Sequence, residues 1–370
     1  MNTTHISEDV KFSKFSSPSG AAPFDGETIP DPKKYNAYSW IKAPRYRENP
    51  METGPLARLL IALHSRENHQ LAGDIDQFLK KLNIKPETAV PDIARAVQTL
   101  TSGHPPVLWI QGQSCSGCSV SLLNTENPGP AQLLLRYISL VSHQTLSTAT
   151  GDVFLDTMNK TIKTIEKGNY YLVVEGSLPA GMPEACMMNH EPVTNIVARA
   201  AVKSKALITL GTCASFGGIP AAEGNPTGAV SVPDYLKANH IQKEFIRLPC
   251  CPAHPDWLVG TLVHLLGFGM PKLDDQQRPR MFYKQLVHDQ CPRFADYERE
   301  NFAEKPGDPG CLFKLGCCGP ITYADCNIRQ WNSGTSSCIQ AGAPCTGCAS
   351  EHYMADKEFS LFRKNEKFLK

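Results

Sequence analysis

Fourteen cysteines at uneven spacing constrain this chain more than any other feature. They stand at 115, 118, 186, 213, 250, 251, 291, 311, 317, 318, 326, 338, 345 and 348. The first 114 residues contain none, and ten of the 14 follow position 249. Disulfide scaffolds are usually short secreted chains, and this one has 370 residues and no visible secretory signal. Cys115/Cys118 and Cys345/Cys348 form C-x-x-C pairs, while Cys250/Cys251 and Cys317/Cys318 are adjacent and poorly placed to bridge each other. Metal binding is therefore the expected use. Structural zinc takes two close pairs joined by a short loop. Here the pairs are far apart and interleaved with single cysteines. An iron–sulfur cubane takes one thiolate per iron and gathers its ligands from several segments, which suits this pattern better.

The local patterns say where these cysteines sit. Apolar runs at 107–110, 170–174, 206–210 and 245–248 read as strands. Stretches 131–141, 153–166, 193–203 and 257–266 have helical spacing. Strands alternating with helices predict an α/β fold with a parallel sheet covered on both faces. Each strand runs into a turn rich in Gly, Cys, Ser or Pro: Gly112 to Cys118, Glu175-Gly176-Ser177, Gly211-Thr212-Cys213 and Pro249-Cys250-Cys251-Pro252. Parallel strands place their carboxyl ends on one edge, where such sheets bind ligands. Cys115, Cys118, Cys213 and one of Cys250 and Cys251 should therefore converge. After about residue 285 the alternation stops. Residues 286–350 are rich in Cys, Gly and Pro with few apolar runs, so this segment should fold around its cofactors. Upstream, residues 1 to about 30 read as an unstructured tail, and 31–98 as a more regular segment with helical spacing at 55–63, 75–82 and 93–100.

Composition removes other classes. With 37 basic and 36 acidic residues the net charge is +1, which argues against nucleic acid as a partner. No stretch approaches 18 consecutive apolar residues, so no membrane-spanning helix is expected. The N-terminus lacks a charged start followed by an apolar run and contains no Arg-Arg pair, so no export signal is visible.

Residues about 100–353 resemble the small, electron-transferring subunit of nickel–iron hydrogenases. The stretches that carry the resemblance are Pro106-Val-Leu-Trp-Ile-Gln-Gly-Gln-Ser-Cys-Ser-Gly-Cys118, Gly211-Thr-Cys-Ala-Ser-Phe-Gly-Gly-Ile-Pro220, His288-Asp-Gln-Cys-Pro-Arg293, Gly310-Cys-Leu-Phe-Lys-Leu-Gly-Cys-Cys-Gly-Pro320 and Ala341-Gly-Ala-Pro-Cys-Thr-Gly-Cys348. The resemblance implies a flavodoxin-like domain over 100–285 and a loop-rich, cluster-binding C-terminal domain over 286–370. It implies an oxidoreductase that relays electrons through three clusters. A proximal 4Fe–4S cluster would take Cys115, Cys118, Cys213 and Cys251, and a distal 4Fe–4S cluster His288, Cys291, Cys311 and Cys317. The medial cluster would take Cys326, Cys345 and Cys348. Many relatives have Pro seven residues before the closing C-x-x-C; here that place holds Cys338. The medial cluster is then 4Fe–4S if Cys338 ligates and 3Fe–4S otherwise. Cys250 stands at a family Gly position and Cys318 where Lys or Arg is common; with Cys186, both read as bystander thiols. Gly117 and Gly218 stand where oxygen-tolerant relatives carry extra cysteines, which implies an ordinary proximal cluster.

Residues about 23–92 resemble an internal piece of the nickel-bearing large subunit, through Tyr38-Ser-Trp-Ile-Lys-Ala-Pro-Arg-Tyr46 and Pro50-Met-Glu-Thr-Gly-Pro-Leu-Ala-Arg58. The large subunit holds nickel with two C-x-x-C pairs, and neither lies in this piece, so no nickel is expected on this chain. The partners implied are a large subunit and an electron acceptor such as a cytochrome or a ferredoxin. The family is usually exported, which leaves the compartment open for a chain without a visible signal. A cytosolic subunit with a single cluster would need only the first four cysteines, and a zinc-stabilised interaction module would have no redox activity; iron–sulfur absorption that bleaches on reduction separates the last from the rest.

Overall fold

The computed structural model describes residues 105–125, 129–164 and 169–354. The large-subunit-like stretch and the expected helices before residue 105 lie outside them. Five strands form the main sheet: β1 (Pro106–Gln111), β2 (Ser139–Ser142), β3 (Tyr171–Glu175), β4 (Ala206–Leu210) and β5 (Phe245–Leu248). Their spatial order is β2-β1-β3-β4-β5 and every pairing is parallel. This is the flavodoxin-like order, with its switch point between β1 and β3.

Alternation along the strands sorts side chains into two cores. Leu108, Ile110, Leu172, Val174 and Leu207 pack with Phe154, Met158 and Ile162 of α2 (Gly151–Thr164) and with Ile196, Val197 and Ala200 of α3 (Val193–Lys203). The opposite face turns Val107, Trp109, Val173, Ile208 and Ile246 toward Trp257, Leu258 and Leu262 of α6 (Pro255–Phe268). Each fully buried Val, Leu, Ile or Met side chain among them contributes about 1.5–3 kcal/mol. Helices α1 (Gly117–Leu122), α4 (Gly211–Phe216) and α5 (Val232–Ala238) complete this part of the chain.

One expected element is corrected. Residues 131–141 are not one helix: Pro130–Gln132 is a single turn, Leu133–Tyr137 a wider one, and Ser139–Ser142 is edge strand β2. Ser139 is exposed and Ser142 buried, so the strand lacks the continuous apolar character of its neighbours. A mixed run of this length fits either period.

Beyond Tyr283 the helices among the described residues are all short turns: Phe294–Glu298, Phe313–Leu315, Gly319–Ile321 and Cys326–Arg329. Val287, Ala303, Leu312, Ala324, Ile339 and Ala349 join the core on the α6 face. Polar ties complete the attachment. The Trp257 indole donates to Asp325 at 2.8 Å, and Arg329 pairs with Asp325 at 2.6 Å and with Asp256 at 3.4 Å. His254 is buried, accepts from the Asp256 N–H at 3.1 Å and packs at a tilt against Trp331, with ring centroids 4.7 Å apart.

Candidate metal centres

The sheet register explains why distant cysteines meet. Gln111 pairs with Glu175, Glu175 with Leu210, and Leu210 with Leu248, so four strands end on one line. Each chain then leaves the sheet into a cysteine-bearing or glycine-bearing turn at the same level. Burial pushes the Cys118 and Cys213 thiols up, and the thiols nearby add to it: Cys213 and Cys251 beside Cys118, and Cys115 beside Cys213. The four residues named for the first centre therefore stand together. Glycine makes this approach possible. A Cβ on Gly211, where φ is +83°, would lie 2.6 Å from the Cys118 sulfur, and one on Gly218 would lie 2.9 Å from that of Cys213. The Ala253 N–H donates to the Cys118 sulfur at 3.4 Å.

Beneath this group lies a residue that motif reading passes over. Glu175 is buried at the end of β3. Its carboxylate accepts from Trp109 Nε1 at 3.2 Å, Ser114 Oγ at 3.0 Å, the Cys118 N–H at 3.1 Å and the Gln111 amide at 3.3 Å, and also from the Ser119 hydroxyl. Such a network satisfies a charge that burial alone would penalise. It also fixes the turn that carries Cys115 and Cys118. The signal available in the sequence is a charged residue ending an otherwise apolar strand.

A second group joins Cys326, Cys338, Cys345 and Cys348. Cys338 is exposed as a residue, yet its thiol lies near those of Cys348 and Cys326. Cys250 belongs here too. Its thiol turns away from the first group and lies 3.3 Å from the Cys348 sulfur. Cys291, Cys311 and Cys317 form the third group. The Arg293 N–H donates to the Cys291 sulfur at 3.3 Å, and the Arg293 guanidinium holds the carbonyls of Asp308 and Gly310 at 2.8 and 2.7 Å. His288 sits beside this group: its N–H donates to the Gly319 carbonyl at 3.2 Å, and a Cβ on Gly319 would lie 3.4 Å from the Cys317 sulfur. Its ring packs edge-on against Phe294 and Tyr297, with centroids at 5.1 and 4.7 Å. Cys318 lies between the second and third groups, its N–H donating to the Cys345 carbonyl at 2.7 Å. Cys186 packs near the other core and joins none of the groups.

Burial governs the thiol chemistry. It pushes Cys251 up to about 11, with Cys213 adding to the effect, and drives Cys118 and Cys345 well above the usual thiol range. Cys348 goes the other way, to about 7, chiefly through its hydrogen bond with the Cys250 thiol. Burial keeps such thiols protonated unless a cation compensates the thiolate, which is what a bound metal would supply. Among the described residues no three His, Cys, Asp or Glu converge on a single metal ion. A cluster that gives each iron its own thiolate fits this spread donor set better than one zinc does.

The chain is 41 % identical over 277 residues to the periplasmic [NiFeSe] hydrogenase small subunit of Desulfomicrobium baculatum, covering 70 % of this chain and 87 % of that one. The chain belongs to the hydrogenase small-subunit family. This small-subunit homologue is also 38 % identical over 256 residues to the hydrogenase-2 small chain of Escherichia coli K12, covering 67 % of this chain and 68 % of that one. The solved D. baculatum [NiFeSe]-hydrogenase aligns with a TM-score of 0.68 at 39 % identity, over 71 % of this chain and all of that one. An actinobacterial-type NiFe-hydrogenase from Ralstonia eutropha H16 aligns at 0.64 and 30 % identity, over 72 % and 84 %. Residues 283–361 match the C-terminal family of the NiFe/NiFeSe hydrogenase small subunit, and 115–265 match the NADH ubiquinone oxidoreductase 20 Kd subunit family. Residues 1–106 match the nickel-dependent hydrogenase family, a longer stretch than the motifs around Tyr38 and Pro50 mark out. The hydrogenase small subunits are oxidoreductase components, and this chain is one of them. Among the described residues no helix is long and apolar enough to cross a membrane.

Proposed function

We propose that this chain is the electron-relay subunit of a nickel–iron hydrogenase and holds three iron–sulfur clusters in a row. One observation carries the reading: the three thiol groups are linked in order. Cys250, adjacent to Cys251 of the first group, lies 3.3 Å from Cys348 of the second, and Cys318, adjacent to Cys317 of the third, donates its N–H to the Cys345 carbonyl of the second at 2.7 Å. Cys115, Cys118, Cys213 and Cys251 would hold the proximal 4Fe–4S cluster, and His288, Cys291, Cys311 and Cys317 the distal one. Cys326, Cys338, Cys345 and Cys348 would hold a medial 4Fe–4S cluster. When bound, the clusters supply one-electron transfer.

The chain's own residues position and tune. Glu175 fixes the Cys115–Cys118 turn, Arg293 ties down the loop that carries Cys311, and α6 anchors the C-terminal segment through Asp325. The partner in this reading is a large subunit that bears the nickel–iron site. The exposed rims of Phe294 and Tyr297 beside His288 suit an exit toward a cytochrome or a ferredoxin.

The finer assignment of Cys338 has its own test. A 3Fe–4S cluster is paramagnetic when oxidised, whereas an oxidised low-potential 4Fe–4S cluster is silent. Oxidised, anaerobically prepared complex should show no strong 3Fe–4S electron paramagnetic resonance signal, and Cys338→Pro should produce one. A signal of about one spin per native protein would remove Cys338 from the ligand set, where each iron of a cubane takes one thiolate. Hydrogen given to the complex should bleach the cluster absorption. A complex whose nickel site turns over hydrogen while that absorption stays unchanged contradicts the relay itself.

A further inference from the structure

Cys250 immediately precedes Cys251, yet the two thiols serve different groups. The Cys250 sulfur is buried, 3.3 Å from the Cys348 sulfur and next to Cys326. Its carbonyl accepts from the Thr212 N–H at 3.0 Å, and the Thr212 hydroxyl donates to the Cys348 carbonyl. Thr212 in turn immediately precedes Cys213. The residues before two ligands of the first group are thus both bonded to one residue of the second.

The sulfur–sulfur distance narrows what Cys250 does. A disulfide needs about 2.0 Å. Two thiolates on one tetrahedral metal would stand about 3.8 Å apart, given metal–sulfur bonds of about 2.3 Å. A cubane iron takes a single thiolate in any case. An S–H···S hydrogen bond fits 3.3 Å. A metal-bound thiolate carries no proton, so the hydrogen belongs to Cys250.

We propose that Cys250 is a positioning residue that donates its S–H to the Cys348 thiolate of the medial cluster, raising that cluster's reduction potential and linking Cys251 to Cys348. The proposal rests on the reading that Cys348 holds a medial cluster. Reduction places more negative charge on the cluster sulfurs, and a donor aimed at one of them stabilises the reduced form more than the oxidised one. The proton stays on Cys250 throughout. The route from one group to the next is then short: the backbone from Cys251 to Cys250, followed by one hydrogen bond.

The test is a redox titration of the purified heterodimer followed by electron paramagnetic resonance, with the native protein beside Cys250→Ala and Cys250→Ser. Cys250→Gly is the second donor-free variant, since the resemblance puts glycine at this place. Loss of the donor should weaken medial reduction about three- to tenfold, a fall of about 30–60 mV at about 59 mV per tenfold for one electron. The proximal and distal potentials should hold, and Ser, which keeps a donor, should recover at least half of the fall. An unchanged medial potential in both donor-free variants overturns the proposal. So does a 3Fe–4S signal created by Cys250→Ala and not by Cys338→Ala, because Cys250 would then be the ligand. A native protein with no medial cluster overturns the underlying reading and the proposal together, and is recognised by its iron content before any variant is made.

Discussion

The sheet region and the segment after Tyr283 hold their cysteines in different ways. In the first, four candidate ligands rise from turns at the ends of strands whose side chains feed two cores. In the second, eight candidate ligands share about 70 residues whose buried apolar members of the core are Val287, Ala303, Leu312, Ala324, Ile339 and Ala349, with Leu315 and Trp331 packed against it. Half of those six are alanine, which buries little. On the proposed reading the sheet needs no metal to fold and the C-terminal segment does, so the fold would fix the first centre and the cofactors themselves the other two.

The largest effect should come from removing the metal. Chelation of the iron should strip amide-exchange protection from 286–350, including the N–H groups of Cys311 and Cys318, by about a hundredfold or more. That is on the order of 3 kcal/mol of opening energy. Strands β1, β3 and β4 should keep theirs. Equal loss in both regions would break the comparison.

Within the sheet region, the frame and the site should separate. Ile208→Ala in β4 should cost about 2–5 kcal/mol of unfolding free energy and leave the iron content intact. Gly211→Ala, just past the end of that strand, should cost about 1–2 kcal/mol through its positive φ and still lose about four irons, because its Cβ displaces the Cys118 sulfur. Denaturant midpoints and iron analysis on the same samples decide this.

A smaller effect should come from His143. Burial lowers its pKa from 6.5 to about 4, while Glu175 acts weakly in the other direction. The unfolded chain therefore binds a proton between pH 6.5 and 4 that the folded chain refuses. Stability from this group is present above pH 6.5 and lost as pH falls toward 4, by up to about 3 kcal/mol. His143→Phe should flatten the dependence of the urea midpoint between pH 7 and 5. An unchanged slope would mean that the ring is not held neutral.

Much of this organisation is legible in the residues. The strands at 107–110, 170–174 and 206–210 stand out as short apolar runs because both faces are covered, whereas 245–248 at the sheet edge alternates half-buried with buried residues. Their cysteine turns follow from parallel topology alone. Strand β2 is hidden because an edge strand with Ser at both ends has no period that separates it from a helix. The side of Cys250 is also hidden. Neighbouring residues of an extended chain point to opposite sides, so an adjacent Cys pair can face two centres, but periodicity does not say what lies on the second side. Glu175 escapes a motif search for another reason. Its importance comes from donors on the β1 turn, and that contact depends on the register between β1 and β3.

The count of iron tests the central claim most directly. Complex purified under anaerobic conditions should contain about twelve irons per copy of this chain, four for each group of ligands, and the chain expressed without its partner should bind no nickel. Eleven would leave three clusters with Cys338 outside the ligand set. About four irons per chain, or zinc in their place, would contradict the three-cluster relay.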